Sequence, residues 1–438
     1  MRDPMVRESC YELEKLMGIL VYLTDEDGTG GDLRVNIEDF KVNEVSDFQA
    51  GDKGDNLIVR LKKENWESHH IIRDMSRQLG ISDDRIGIAG TKDKRAITTQ
   101  IMSIKGLTEE DLKRVTLPRV EITPLGRSNK NIGLGDLSGN EFDIVIRNIG
   151  LGKPEIEERL ESISGTISRS GGVPNFFGYQ RFGIKRPVTH LVGEKIVKGD
   201  IEGAAMTYIA KSFPWENPEN RELRDMVWNT RDFREGVKAY PLNLRYERTM
   251  MHYLIEHPED YAGAFRALSA NLLKLFVHAY QSYLFNKILS RRLREDISLT
   301  VPVEGDTVCF TTPRMAPDTD RVDLVTKKNM SDVMYLVRKK RAFLTLPLIG
   351  RDTQVPDSRT GEIIRHVMDE EGISPGSFVV KDLPELTSAG LWREALINAS
   401  PEFSAGEGTA GVKFFLPKGC YATTVLREYM KSDPIKMD

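Results

Sequence analysis

One carboxylate in this chain is crowded by cations in a way that can do chemistry. The stretch reads Gly87-Ile88-Ala89-Gly90-Thr91-Lys92-Asp93-Lys94-Arg95-Ala96-Ile97-Thr98-Thr99-Gln100. Asp93 sits between two lysines, with an arginine one residue further on. Nearby positive charge favours the ionised form of a carboxyl group. An ionised, positioned aspartate can serve as a nucleophile or a general base. The glycines before it let the backbone turn sharply or approach a ligand closely. The flanking cations can hold phosphates, which makes nucleic-acid chemistry a direct hypothesis. On composition alone the same residues read as a solvated charged loop.

A catalytic loop needs rigid elements on both sides. Arg85 to Ala89 and Thr98 to Ile104 read as strands, which puts Asp93 on the connection between them. Leu33 to Ile37 alternates as a short strand, and Leu57 to Leu61 reads as another. Glu67 to Leu79 is predicted helical, with Ile71, Ile72, Met75 and Leu79 on one face and Gly80 as the stop. Glu141 to Arg147 is a further strand, and Pro154 to Ser168 a helix entered through proline. Ser170-Gly171-Gly172-Val173-Pro174 is the expected domain boundary. Beyond it the chain becomes more helical, with one or two helices over Ala264 to Arg294. Ala342 to Gly350 reads as a strand, and Ile363 to Glu371 and Leu391 to Ile397 as helices. Val412 to Leu416 is a strand and Tyr421 to Lys431 a helix. Strands and helices interleave without regular βαβ alternation, so the expected class is α+β with antiparallel sheet.

The 438 residues suit two or three domains, and 39% hydrophobic with 29% charged residues suits a globular chain with a sizeable core. Net charge is −4, from 62 basic and 66 acidic residues, so a polyanion would have to meet basic residues gathered on one face. Arg60, Lys62 and Lys63, then Arg291, Arg292 and Arg294, and the run Arg338 to Arg341 are candidates. Cys10, Cys309 and Cys420 are far apart and form no CxxC, which fits a reducing compartment and no cysteine zinc site. His69 and His70 point apart on a helix, so no metal is expected. Glu8, Glu12 and Glu14 stand where a signal peptide would need apolar residues, and Leu272 to Leu289 is too often interrupted by polar residues to span a membrane. A cytoplasmic protein is expected. A P-loop is excluded because Asp93 follows Lys92 where Ser or Thr is required. Arg95 stands where an aspartyl-phosphate phosphatase of the haloacid dehalogenase type would carry a second aspartate.

The Asp93 block resembles the catalytic motif of the TruD family of tRNA pseudouridine synthases, Gly-x-Lys-Asp-(Lys/Arg)-x-Ala-x-Thr-x-Gln. Gly90, Lys92, Asp93, Lys94, Ala96, Thr98 and Gln100 fill its fixed positions. Asn140 and Phe142 match the family's Gly-Asn-x-Phe. Read without the resemblance, Phe142 fills the core beside Ile144 and Ile146. Arg34 and Ile37-Glu38-Asp39-Phe40 resemble Lys-x-x-Pro-Glu-Asp-Phe, with arginine for the lysine and isoleucine for the proline. Asn175 to Gly183, either a packed loop or an RNA-facing one by composition, resembles Asn-Tyr-Phe-Gly-x-Gln-Arg-Phe-Gly. Gln281 to Asn286 and Leu416 to Thr423 also match, so the resemblance runs collinearly through nearly the whole chain.

The resemblance implies a tRNA pseudouridine synthase acting at the thirteenth tRNA position, with Asp93 catalytic. It implies that Phe142 stacks on the flipped base, that Asn140 and Arg34 orient the aspartate, and that Lys92 contributes to substrate binding. No cofactor is implied, the partner is tRNA, and a monomer is expected. The implied architecture is a discontinuous catalytic domain, 1–171 with 384–438, and an inserted α/β domain over 172–383. A non-catalytic tRNA-binding or RNA-folding protein on the same scaffold is the alternative.

Overall fold

The computed structural model describes residues 6–312 and 317–437. The chain divides into two compact units, Met1–Asp25 with Thr166–Ile397, and Glu26–Gly165 with Asn398–Asp438. The class is α+β. The second unit is built on one eight-stranded sheet. Its strands are β1 (Phe40–Val45), β2 (Asn56–Glu64), β3 (Ile86–Ile88), β4 (Ile97–Lys105), β5 (Val120–Ser128), β6 (Gly139–Ile146), β7 (Glu402–Gly406) and β8 (Thr409–Pro417). The order is β7-β8-β6-β1-β4-β2-β5, with β3 paired beside β4. All pairs are antiparallel except β1 with β4.

Helix α1 (Ser68–Leu79) covers one face of this sheet. Glu67 caps it by accepting from the main-chain N–H groups of His69 and His70, and Gly80 ends it at φ +70°. Ile71, Ile72, Met75 and Leu79 pack against Leu57, Val59, Leu61, Met102 and Ile104. Each such side chain, taken fully out of water, stabilises the fold by about 1.5–3 kcal/mol. The cross-strand pairs on this face run Leu57–Ile104, Val59–Met102, Leu61–Gln100 and Lys63–Thr98. The face is therefore apolar under α1 and turns polar at the end nearest Asp93.

Two expectations are corrected here. Leu33 to Ile37 is not a strand: Arg34 takes a left-handed conformation at φ +52°, and Ile37–Asp39 forms a 3₁₀ turn. Asn36 and Asp39 close a capping box on that turn, so local hydrogen bonds outcompete a ladder. Ile37 stands at the first helical position, where the family's proline fits equally well. Leu391 to Ile397 is not helical either: Leu391–Glu394 pairs with Ala342–Leu348 and Leu396–Ile397 with Val173–Pro174. Sheet pairing at two partners overrides the local helical pattern.

The other unit gathers helices around the long helix Ala270–Arg294, together with a four-stranded sheet. Its boundaries differ from the expected ones at 171/172 and 383/384. The chain changes unit at 25/26, inside the helix Lys153–Arg169 at 165/166, and at 397/398, so the N-terminal segment groups with the middle of the chain. The reason is buried hydrogen bonding. Asn286 donates to the Met17 carbonyl at 3.0 Å, Ser290 to that of Gly18 at 3.0 Å, and Tyr179 to Glu14 at 2.5 Å. The motif Asn175 to Gly183 is a packed loop, since Phe176, Tyr179 and Phe182 are buried and Asn286 clamps both main-chain groups of Phe177. Arg292 lies buried against Asp306 and Thr360, which removes it from the candidate RNA contacts.

Asp39 joins the turn before β1 to the end of β6. Arg147 donates to both of its carboxylate oxygens at 2.7–2.9 Å, and the Asn36 N–H adds a third donor. Burial opposes ionisation, but the Arg147 and Asn36 hydrogen bonds outweigh it and hold the carboxyl below its usual range. A depressed carboxyl contributes stability that is present above its unfolded value and is lost as pH falls through the folded one. Arg147→Met should therefore destabilise the protein by about 1–3 kcal/mol at neutral pH. The deficit should shrink as Asp39 is protonated below about pH 4. Thermal melting of both proteins across that range checks this, and a deficit independent of pH would contradict it.

Candidate active site

Asp93 lies on the connection between β3 and β4, as the sequence predicts. Arg34 donates from Nη2 to Asp93 Oδ1 at 2.9 Å. The Arg34 side chain is 6% exposed and that of Asp93 is 38% exposed. The pair is made through one contact, not the bidentate fork an arginine can form. Arg34 Nη1 instead donates to the Met437 carbonyl at 3.3 Å, and its guanidinium lies 4.0 Å from the Phe40 ring centroid. Three partners from three segments thus fix the arginine, and its left-handed backbone adds strain of about 1–2 kcal/mol. Asp93 Oδ2 accepts no hydrogen bond among the described residues. The result is a carboxylate held at one oxygen and open at the other, the arrangement a nucleophile or base requires.

Lys92 is turned the other way. Its ammonium meets Glu44 Oε2 at 2.5 Å, and the two side chains are almost fully buried. Glu44 Oε1 accepts the Ile101 N–H at 3.1 Å. Lys92 thus ties the loop down to β1 and β4, where the sequence expectation had it bind substrate. Ser68, at the start of α1, accepts the Lys92 N–H at 3.1 Å. Lys94 and Arg95 are exposed, and their side chains make no hydrogen bond or ion pair among the described residues.

Phe142 lies in β6 directly opposite Phe414 of β8 and Val42 of β1. Its ring stacks on Phe414 at 5.3 Å and meets Phe40 edge-on at 6.2 Å. It is 8% exposed and faces the same side as buried Ile144 and Ile146. Asn140 lies opposite Glu44, and among the described residues it makes no side-chain hydrogen bond to Asp93. Its Oδ1, with Thr98 Oγ1 and Gln100 Oε1, is buried and has no hydrogen-bond partner among the described residues. Register puts Thr98 in line with Val42 and Phe142, so these unsatisfied groups share one face beside the Asp93 loop. An open cleft of about 380 Å³ between β1, β6 and β8 touches Phe142 and includes Asn43, Glu141, Asp143 and Lys413, but not Asp93. No cluster of three or more metal-ligating side chains occurs among the described residues, and no described helix is long and apolar enough to cross a membrane.

Sequence reading missed two residues of this site. Glu44 was invisible as a partner because only register brings it under Lys92. Lys63 was weighed as a surface cation; it is buried, and its ammonium donates to main-chain carbonyls of the loop. The available signal was its place in the alternation after Leu57, Val59 and Leu61.

Comparison with known proteins decides the family. A family model described as tRNA pseudouridine synthase D (TruD) matches residues 16–429. The chain belongs to the TruD family. It is 49% identical over 432 residues to "Probable tRNA pseudouridine synthase D" of Methanococcoides burtonii, covering 97% of this chain and 98% of that one. A Methanosarcina barkeri relative of the same name is 47% identical over 433 residues, covering 97% and 99%. A crystal structure of a Methanosarcina mazei protein assigned to TruD superposes with a TM-score of 0.87 at 46% identity, over 100% of both chains.

The Glu44–Lys92 pair generates a prediction. Glu44→Gln leaves a buried ammonium without its counter-charge, which costs about 3–5 kcal/mol. Adding Lys92→Met removes the stranded charge and should recover part of that loss. Melting of the two single variants and the double variant measures the coupling. Strictly additive losses would show that the pair does not act as a unit.

Proposed function

We propose that this protein is a tRNA pseudouridine synthase that isomerises the uridine at position 13 of tRNA, with Asp93 as the catalytic residue. The observation that carries this reading is the Asp93 carboxylate itself, anchored at one oxygen by a buried arginine and more than a third exposed, in a chain of the TruD family. The reaction breaks the bond between ribose C1′ and uracil N1 and forms one between C1′ and C5. The proton on C5 leaves and N1 gains one, so nothing is added and no electrons are exchanged with a cofactor. The target base must leave its stack, which costs a few kcal/mol. Exposed Lys94 and Arg95 would meet the backbone phosphates that position the RNA. Phe142 and Asn140 would border the flipped base, and Arg34 would orient Asp93. Family resemblance supports position 13, and the relatives' name supports tRNA as substrate. We place the activity in the cytoplasm, where tRNA and reduced cysteines coexist.

The test uses unmodified tRNA and enzyme with no cofactor, and mass spectrometry to locate pseudouridine. Wild-type protein should modify position 13. Asp93→Asn keeps the shape and removes the charge, so the rate should fall by at least about 10²-fold while tRNA affinity is retained. Product formation by Asp93→Asn near the wild-type rate would sink this reading. Tight tRNA binding without any pseudouridine from the wild-type protein would favour a non-catalytic RNA-binding role.

A further inference from the structure

Strand β2 alternates Leu57, Val59, Leu61 and Lys63 toward one face, so a lysine occupies a core position. Lys63 is fully buried. Burying a charge is expensive unless every donor is satisfied. Here all three ammonium protons have acceptors: the main-chain carbonyls of Trp66 at 2.7 Å, Asp93 at 2.7 Å and Lys92 at 3.4 Å. Among the described residues no carboxylate lies within ion-pair distance. The lysine is thus a cation set on carbonyl oxygens, and two of the three belong to the Lys92-Asp93 peptide segment.

That segment has little else to hold its main chain. Among the described residues the Asp93 carbonyl has no other donor, and Lys92 is otherwise tied through Ser68. The other main-chain hydrogen bonds of the loop are a local one from Ala96 to the Lys94 carbonyl at 2.9 Å and two at the loop's ends, from Gly135 to Ala89 and from Asn65 to Ala96. Register explains why a lysine of β2 can reach this far. Lys63 stands opposite Thr98 of β4, the second strand residue after the loop. Apolar packing under α1 has ended by that row, and α1 itself begins at Ser68, beside the same carbonyls.

We propose that Lys63 is a positioning residue for the isomerisation: its ammonium fixes the Asp93 main chain while Arg34 fixes the carboxylate. This rests on the reading of Asp93 given above. Neither clamp alone determines where Oδ2 points. Arg34 fixes one oxygen, and rotation of the peptide would swing the other. With the carbonyl and Oδ1 both anchored, the side-chain torsions between them are set, and the free oxygen is preorganised for the nucleotide.

Burial is also what makes this clamp sensitive to pH. It pushes the Lys63 ammonium down to about 8, opposed by the charges of Asp93 and Glu67 and reinforced by Lys92. The charged groups facing it are these three, from the loop and from the cap of α1. Above that value the neutral amine has two protons for three carbonyls and no charge, so the clamp loosens. The stability linkage has the opposite sign. A lysine depressed in the fold binds its proton more weakly than the unfolded chain does, so its loss of charge stabilises the fold as pH rises from about 8 toward 10.5. A fall in rate over that window, with no fall in melting temperature, is what positioning requires and unfolding does not give.

The experiment measures single-turnover pseudouridine formation, tRNA affinity and melting for the full chain, its Lys63→Met and its Lys63→Arg variants. Wild-type product formation comes first, since its absence refutes the proposed function and not the role of Lys63. Given wild-type activity, Lys63→Met should lose about 10²-fold in rate at unchanged tRNA affinity. Lys63→Arg keeps a permanent charge, so it should retain more rate than Lys63→Met and lack the alkaline decline. A folded Lys63→Met protein with the wild-type rate overturns the proposal. Should neither variant fold, the wild-type profile decides alone: a rate that stays flat between about pH 7 and pH 9 overturns it, and a decline centred near pH 8 with no fall in melting temperature supports it.

Discussion

Two ammonium groups taken out of water hold the loop that carries Asp93, and the geometry of the sheet follows from the need to satisfy both. Lys92 takes a carboxylate, Glu44, and Lys63 takes main-chain carbonyls. The desolvation penalty of each is several kcal/mol, so neither tolerates a missing partner. That requirement reaches into the strand register. Glu44 is a β1 residue, Lys63 a β2 residue, and Thr98 on β4 lies between their strands. A slip of one residue in any pairing would turn one of these groups to the opposite face and strand the other. Uncompensated buried charge thereby enforces the register that the apolar residues under α1 also specify.

The carboxylate end of Asp93 is governed by a second chain of contacts on the same sheet. Phe414 stacks on Phe142, Phe142 meets Phe40, and Arg34 lies over Phe40 while holding Asp93. Aromatic pairs of this kind add about 0.5–1.5 kcal/mol each beyond their burial. The row joins strand β8, from the C-terminal part of the chain, to residues near position 40. Met437, close to the last residue, completes the arginine's contacts. The aspartate's surroundings therefore form only when segments from both sides of the long interruption in this unit have come together. A loop that looks local in sequence is positioned by pairings hundreds of residues apart.

What could be read in the sequence followed local physics. The helix Glu67 to Leu79 was legible because capping residue, apolar period and terminal glycine agree, and the strands around Asp93 because their apolar runs are short and bounded. The Asp93 block stood out by its crowded charges, and the family resemblance pointed to Arg34 as its partner. The misreadings lie where a distant partner overrode a local pattern. Leu33 to Ile37 alternates like a strand, yet Arg34 must turn back toward Asp93, and Asn36 with Asp39 makes the turn. Lys63 resembles a surface cation beside Lys62, and only its parity on the strand separates the two. The N-terminal segment reads as part of the sheet unit by position, yet Asn286 and Ser290 draw Met17 and Gly18 to the helix Ala270–Arg294.

The sorting of cations around Asp93 bears on how a chain of net charge −4 can hold RNA. Of the basic residues in or against the loop, Arg34, Lys63 and Lys92 face inward. Their charges hold the aspartate and its peptide, and the protein's own groups satisfy them. Lys94 and Arg95 face solvent. Only exposed cations release counterions when a phosphate approaches, each contributing about −0.7 to −0.9 to the slope of log affinity against log salt. The motif's density of positive charge therefore overstates its direct attraction for RNA. Most of that charge shapes the site, and the remainder of the electrostatic grip has to come from elsewhere on the surface. Within the loop, the division follows strand parity and burial: cations that reach the sheet position the acid, and cations that point away are free to meet the polyanion.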